Sequence, residues 1–378
     1  MNDPATLAAP ALEAVPPITE PLPAYGYDRL DYAMTISVEV TQGGRLWACW
    51  VGGGDSEKGF FVLASSDDAG TTWSPPRLVL DPHRADLARA RRTLVGTLWN
   101  DPLGRLWLFY DQAMGYFDGR GGLWSIRCDL PDAERPVWTA PQRIWHGCTL
   151  NKPIVAADGT WLLPVSLWDR KRCASGFNEL DPLRMAHVFA STDLGRTWTR
   201  RGGVAYPSPE FDEHQIIERR DRSLWMTART CLGIHESIST DGGVSWSPPQ
   251  PSSIRQVVDR NGHSSRHHLR RLLSGRLLLI KHGVTIDSAP NERSHLTAFL
   301  SEDDGATWLG GLLIDARAQV SYPDAGQAAD GTIFATWDRN RATDAEILLG
   351  RFTEADVLAC RCVDPTARLG MIVFAPRR

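Results

Sequence analysis

One eight-residue string recurs four times in this chain. Ser301-Glu-Asp-Asp-Gly-Ala-Thr-Trp308 reads S-x-D-x-G-x-T-W, and the same string stands at Ser66–Trp73 and Ser191–Trp198. The copy at Ser239–Trp246 carries Ser245 in place of the threonine. Each copy has turn chemistry at its centre. The aspartate can fold back onto backbone N–H groups, and the glycine supplies a positive φ. The closing tryptophan is a large apolar anchor. Each copy therefore reads as a hairpin tip with its own lock.

A second repeat lies between these. A turn residue is followed by a short apolar strand at Gly44–Trp50, Gly104–Tyr110, Gly159–Val165, Arg222–Ala228, Gly275–Lys281 and Gly331–Trp337. Successive starts lie 60, 55, 63, 53 and 56 residues apart. Strand repeats of roughly 40–50 residues mean a propeller of four-stranded blades, and the slightly longer spacing leaves room for loops. The fold class is therefore all-β, a six-bladed β-propeller of four-stranded antiparallel blades. The blades are expected over about 33–80, 92–145, 150–203, 212–250, 264–315 and 319–353. Leu369–Ala375 is one more strand candidate, and it or the N-terminal arm is expected to complete the ring, since closure removes exposed edges. Thr353–Ala359 suits one short helical turn. Residues 1–30, rich in Pro and Ala, form an arm, and 31–378 form the single propeller.

At 378 residues the chain exceeds one ordinary compact core. A propeller escapes that limit because each blade packs only on its neighbours. The net charge of −4 offers no basic stripe for nucleic acid. No segment approaches the roughly 20 apolar residues of a membrane span. Met1–Pro23 lacks the basic and apolar regions of a signal peptide. The seven cysteines are odd in number, and Cys360-Arg-Cys362 is too tight for an ordinary disulfide or zinc motif. These readings lead to a cytoplasmic protein with reduced thiols.

The S-x-D-x-G-x-T-W string resembles the Asp-box of the sialidase superfamily, whose members are six-bladed propellers, and the resemblance runs from about Tyr32 to Asp356. In that family the box lies on the outer rim, so its residues are given a structural role. The chemistry is expected where the first strands of the blades converge on the axis, and those openings are rich in ionisable residues. Tyr322, in Val-Ser-Tyr-Pro-Asp, resembles the family's nucleophile, a neutral phenol suited to an anionic substrate. Glu213, in Asp-Glu-His-Gln, resembles the partner that activates it. Arg229 and Arg266 are placed as clamps for a substrate carboxylate. Asp324, Asp338 and Lys152 are further candidates for substrate contact.

The chain also departs from the pattern. The family's Arg-Ile-Pro segment falls at Asp31–Ile36 and reads Asp-Tyr-Ala-Met-Thr-Ile, without its arginine. The acid expected after the first strand is absent unless Asp55 serves, so either Asp55 or a histidine is expected to protonate the leaving oxygen. Histidines stand near the expected channel: His214, His235, His263, His267 and His268. Of these His214, His235 and His267 are carried as catalytic candidates. Their spacing gives no zinc signature, and neither metal nor other cofactor is expected.

The resemblance implies a sialidase-like exo-glycosidase that cleaves a terminal acidic sugar, uronic or sialic-like, from an oligosaccharide. Two alternatives stand beside it. A lyase would cleave next to a uronate by His/Tyr β-elimination. A non-catalytic propeller would only bind glycans. The expected partner is a carbohydrate, with no nucleic acid, no membrane and no fixed oligomeric state.

Overall fold

The computed structural model describes residues 6, 9–115, 119–170, 177–254, 265–283 and 293–376. Six antiparallel sheets follow one another along the chain, each built from consecutive strands. The four boxes sit between the third and fourth strands of blades one, three, four and five and share one hydrogen-bond pattern. In the last of them Ser301 Oγ donates to Asp303 Oδ1 at 2.9 Å, and the Gly305 and Thr307 N–H groups close onto Ser301 and Asp303. Thr307 Oγ1 adds a bond to Asp303 Oδ2 at 2.6 Å. Gly305 has φ +89°, and a Cβ there would come within 2.7 Å of Trp225 in the preceding blade. Only glycine meets both conditions.

The core is distributed over the blade seams. Strand side chains alternate between the two faces of a blade. Trp47, Cys49 and Val51 therefore face blade two, while Leu46, Ala48 and Trp50 face blade six. Each of the other seams carries its own apolar cluster, and tryptophans anchor several of them.

Blade six differs from the sequence expectation. Its outer strand is Arg368–Phe374, paired with Glu346–Phe352, so the blade extends well past residue 353. Every blade is thus made from contiguous chain, and the ring closes by packing blade six on blade one. The arm serves another purpose. Ile18 exchanges backbone hydrogen bonds with Val79 and extends the outer edge of blade one. The expected short helix is Glu354–Leu358, opened by a capping box of Thr353 and Asp356.

The innermost strands of blades four and six, Pro209–Glu218 and Val320–Gln327, are irregular at their first residues. Pairing to the second strand slips between Asp212 and Gln215 and again between Ser321 and Asp324. Asp212, Glu213 and Tyr322 have φ of +52°, +45° and +51°. Non-glycine residues rarely adopt this conformation, and such bulges re-aim side chains. Strain of this kind clusters at functional sites.

Candidate active site

The two bulges turn Glu213 and Tyr322 toward each other. Tyr322 Oη donates to Glu213 Oε1 at 2.8 Å across the axis. Glu213 is held in turn by Arg229, whose Nη1 lies 3.0 Å from both carboxylate oxygens. Glu210 stands 3.5 Å from Nη2 of the same guanidinium. All three residues of the Tyr–Glu–Arg chain are buried. Burial and the Glu213 charge push the Tyr322 phenol up to about 12, while Arg229, Arg341 and Arg293 pull the other way. The resting phenol is therefore neutral and needs a base within reach, and Glu213 is that near.

Two arginines that the sequence reading did not assign complete the cluster. The Arg341 guanidinium lies 4.2 Å from the Tyr322 ring centroid, and Arg293 lies 5.7 Å from it. Arg341 is fixed by Asp338 at 2.9 Å and by Ser321 at 2.9 Å. Burial alone would lower its pKa, but Asp338 and the two tyrosines Tyr322 and Tyr32 hold it above the ordinary arginine value. Arg293 is lowered by burial and by the neighbouring Arg341 charge. Asp55 reaches this rim, with Oδ2 3.7 Å from Arg341 Nη1, and its side chain is 42% exposed. Phe211 and Trp168 pack edge to face at 4.9 Å and form an apolar wall beside Arg229.

Other candidates fall elsewhere. Arg266 is buried, and its guanidinium is occupied by the carbonyls of Leu150 and Ile36 and by Asn151. It lies 5.7 Å from the Tyr322 ring, but its N–H groups face the interior of the ring of blades. A carboxylate clamp at Arg266 would need these bonds to open; Arg341 lies nearer the Tyr322 ring, at 4.2 Å. Lys152 and Asp324 belong to one buried ion network. Lys152 Nζ lies 3.0 Å from Asp324 and 3.1 Å from Glu39, and Asp324 also takes the Ser37 hydroxyl at 2.6 Å. The charges around it hold Asp324 far below the usual carboxylate range in spite of burial. These two residues join blades one, three and six, and their bonds are spent within the protein. Asp338 orients Arg341 and also accepts the Thr35 N–H.

The histidines separate from the dyad as well. His214 follows Glu213, but its ring bonds to the His187 carbonyl at 2.8 Å, in the seam toward blade three. His267 meets the Thr227 hydroxyl at 2.9 Å. Burial lowers them to about 4 and about 3, so both rings are neutral at pH 7. His235 lies on the third strand of blade four, Gly233–Ser239, beside Thr230, and so is not on an innermost strand. His268 sits 3.2 Å from Asp324 in the ion network. His263 lies outside the described residues. His214 and His267 thus spend one ring nitrogen each on a backbone carbonyl or a hydroxyl, as buried polar groups usually do.

A cavity of about 340 Å³ opens near the later residues of the innermost strands, lined by Lys152, Gln215–Glu218 and His268–Arg271. It contains neither Tyr322 nor Glu213. Among the described residues no group of three or more His, Cys, Asp or Glu side chains is placed to hold a metal ion.

Six blades, a Tyr–Glu pair across the axis and surrounding arginines together define a β-propeller with a buried, charged site on its axis. The BNR repeat-like domain model matches residues 44–335, and the chain belongs to that family. No curated protein is similar enough to count as a match. Among solved structures, the Hadza microbial sialidase Hz136 is 17% identical with a TM-score of 0.67, over 86% of this chain and 66% of that one. The intramolecular trans-sialidase of Ruminococcus gnavus, solved with oseltamivir carboxylate, is 16% identical with a TM-score of 0.61, over 90% and 98%. The leech intramolecular trans-sialidase, complexed with 2,7-anhydro-Neu5Ac, is 15% identical with a TM-score of 0.66, over 89% and 70%. At these identities the likeness shows the fold.

Proposed function

We propose that this protein is a sialidase-like glycoside hydrolase that removes a terminal acidic sugar, sialic-like or uronic, from an oligosaccharide. The observation that carries this reading is the 2.8 Å hydrogen bond from Tyr322 to Glu213 inside a cluster of arginines. In this scheme Tyr322 Oη attacks the anomeric carbon as its proton passes to Glu213. The bond to the leaving oxygen breaks, and Asp55 gives that oxygen its proton. Water then attacks the glycosyl–Tyr322 bond with Asp55 as base, and the phenol recovers its proton from Glu213. Two displacements retain the anomeric configuration. A neutral nucleophile suits an anionic sugar, because a carboxylate nucleophile would repel it. Arg293 and Arg341 would hold the sugar carboxylate, with Arg229 fixing Glu213.

The lyase reading is less favoured, because the rings of His214 and His267 are engaged by the His187 carbonyl and the Thr227 hydroxyl. Cys49, Cys128, Cys360 and Cys362 are free thiols, which suits a reducing compartment and imported oligosaccharide substrates. Among the described residues no helix is long and apolar enough to cross a membrane.

The test is a panel of aryl glycosides and unsubstituted oligosaccharides of acidic sugars, following released phenol, reducing sugar and ultraviolet absorbance together. The reading expects reducing sugar without an unsaturated product. It also expects kcat/KM to fall by about 10³-fold or more in Tyr322→Phe and Glu213→Gln, equivalent to ~4 kcal/mol of transition-state stabilisation. Absorbance growing with each cleavage would establish the lyase instead. Unchanged rates in both variants would remove the dyad from the chemistry.

A further inference from the structure

We infer that Tyr32 is a substrate-binding residue whose hydroxyl, with Arg341 and Arg293, grips the carboxylate of the acidic sugar. This rests on the proposed hydrolase reading and concerns the same site. Tyr32 stands two residues before the innermost strand of blade one, Met34–Val40. This is the segment in which the sequence lacks the arginine of the resembling family.

The backbone there is tied to the loop that carries Arg341. The Ala33 N–H donates to the Arg341 carbonyl at 3.0 Å, and the Thr35 N–H donates to Asp338 Oδ2 at 3.0 Å. The ring belongs to the same apolar cluster as Tyr322. Two fixed points thus set the phenol beside the Arg341 guanidinium, whose own orientation is locked by Asp338 and Ser321.

The hydroxyl itself is unspent. Tyr32 is 9% exposed, Arg341 beside it can only donate to its oxygen, and the hydroxyl proton has no acceptor of good geometry among the described residues. A buried donor left unmet is costly, and buried polar groups are nearly always paired. Burial raises the phenol well above its ordinary pKa, so it stays neutral and keeps its proton to donate. Tyr322 and Tyr206 nearby in the ring of blades have the partners that Tyr32 lacks, Glu213 and the Met226 carbonyl. An anion drawn in by Arg341 and Arg293 would supply the missing acceptor.

A phenol in place of a guanidinium has a consequence for recognition. It donates one hydrogen bond, which is strong to a charged carboxylate oxygen and weak to a neutral carboxamide, while Arg341 and Arg293 supply the charge pairing.

The experiment is calorimetric titration of the full chain with an acidic monosaccharide and with its neutral carboxamide. Wild type and Tyr32→Phe are compared, and thermal unfolding confirms that both are folded. The inference expects Tyr32→Phe to weaken the acid about 10-fold or more, the range for a hydrogen bond to a charged group, and to leave the carboxamide nearly unchanged. Equal affinities for the acid in both proteins would overturn the role of Tyr32 while leaving the hydrolase reading intact. So would a parallel loss for acid and carboxamide, which marks a packing defect. If wild type binds and cleaves no acidic sugar, the hydrolase reading fails and this inference falls with it. Should Tyr32→Phe unfold, Tyr32→Trp, which keeps an aromatic ring and loses the hydroxyl, must show the same selective loss.

Discussion

Glu213 meets two demands at once: it must stay charged in a buried place and still accept a proton from Tyr322. Arg229 answers the first with contacts to both carboxylate oxygens, and the second is left to the 2.8 Å bond from Tyr322. Its neighbour Asp212 is treated differently. Asp212 is 3% exposed and receives the Ser166 hydroxyl at 2.8 Å. Burial pushes its carboxyl up to about 7, against that hydrogen bond, and the charges of Glu213 and Asp169 add to the rise. An unfolded aspartate titrates near ~3.9. Between about pH 4 and about pH 7 the native protein therefore binds a proton that the unfolded chain has released, and stability falls as pH rises through that window. Asp212→Asn removes the titration and can keep the Ser166 contact. The variant should gain on wild type in urea midpoint from pH 4 to 7, by as much as ~4 kcal/mol, and hold a constant lead above it. A pH-independent difference would mean that Asp212 is ionised in the folded state at all these values.

The blade is the repeating element, and its turn carries a stability term separable from the chemistry. Gly305→Ala should cost about 1–3 kcal/mol, because φ is +89° and the new Cβ would meet Trp225 at 2.7 Å. Denaturant unfolding reads this directly, and kcat should stay within about twofold. A kcat loss larger than the stability loss would place the outer rim in contact with the site. At this scale the sequence was informative. The boxes and the apolar strands repeat with fixed turn chemistry, so their number and order could be counted. The strand at Leu369–Ala375 could be read as a candidate, but its place as the fourth strand of blade six could not, because it lies beyond the helix at Glu354–Leu358 and follows no box.

For the molecule as a whole, legibility divides by how a side chain is aimed. Tyr322 and Glu213 could be picked out because they sit in the opening halves of innermost strands, and Arg229 because it comes near the end of the repeated strand Leu224–Thr230. Arg293 and Arg341 come from loops of blades five and six, where no repeat sets a register, and only the fold shows that they converge. The histidines show the same dependence on the fold: His214 follows Glu213 in the chain but bonds to the His187 carbonyl, while His268 meets Asp324. Blades one, three, five and six meet at the Lys152–Asp324–Glu39–His268 network, which holds the innermost strands in place below the dyad. The geometry depends on that support, since Tyr322 and Glu213 are 109 residues apart and belong to different blades.

The central claim is that Tyr322 forms a bond to the sugar. The direct measurement is intact-mass spectrometry of protein quenched during turnover of a fluorinated acidic glycosyl fluoride, which slows the second displacement more than the first. The account predicts a gain of one glycosyl unit, mapped to the peptide containing Tyr322 and lost in Tyr322→Phe. Turnover of that donor without any adduct, or an adduct that persists in Tyr322→Phe, would contradict it.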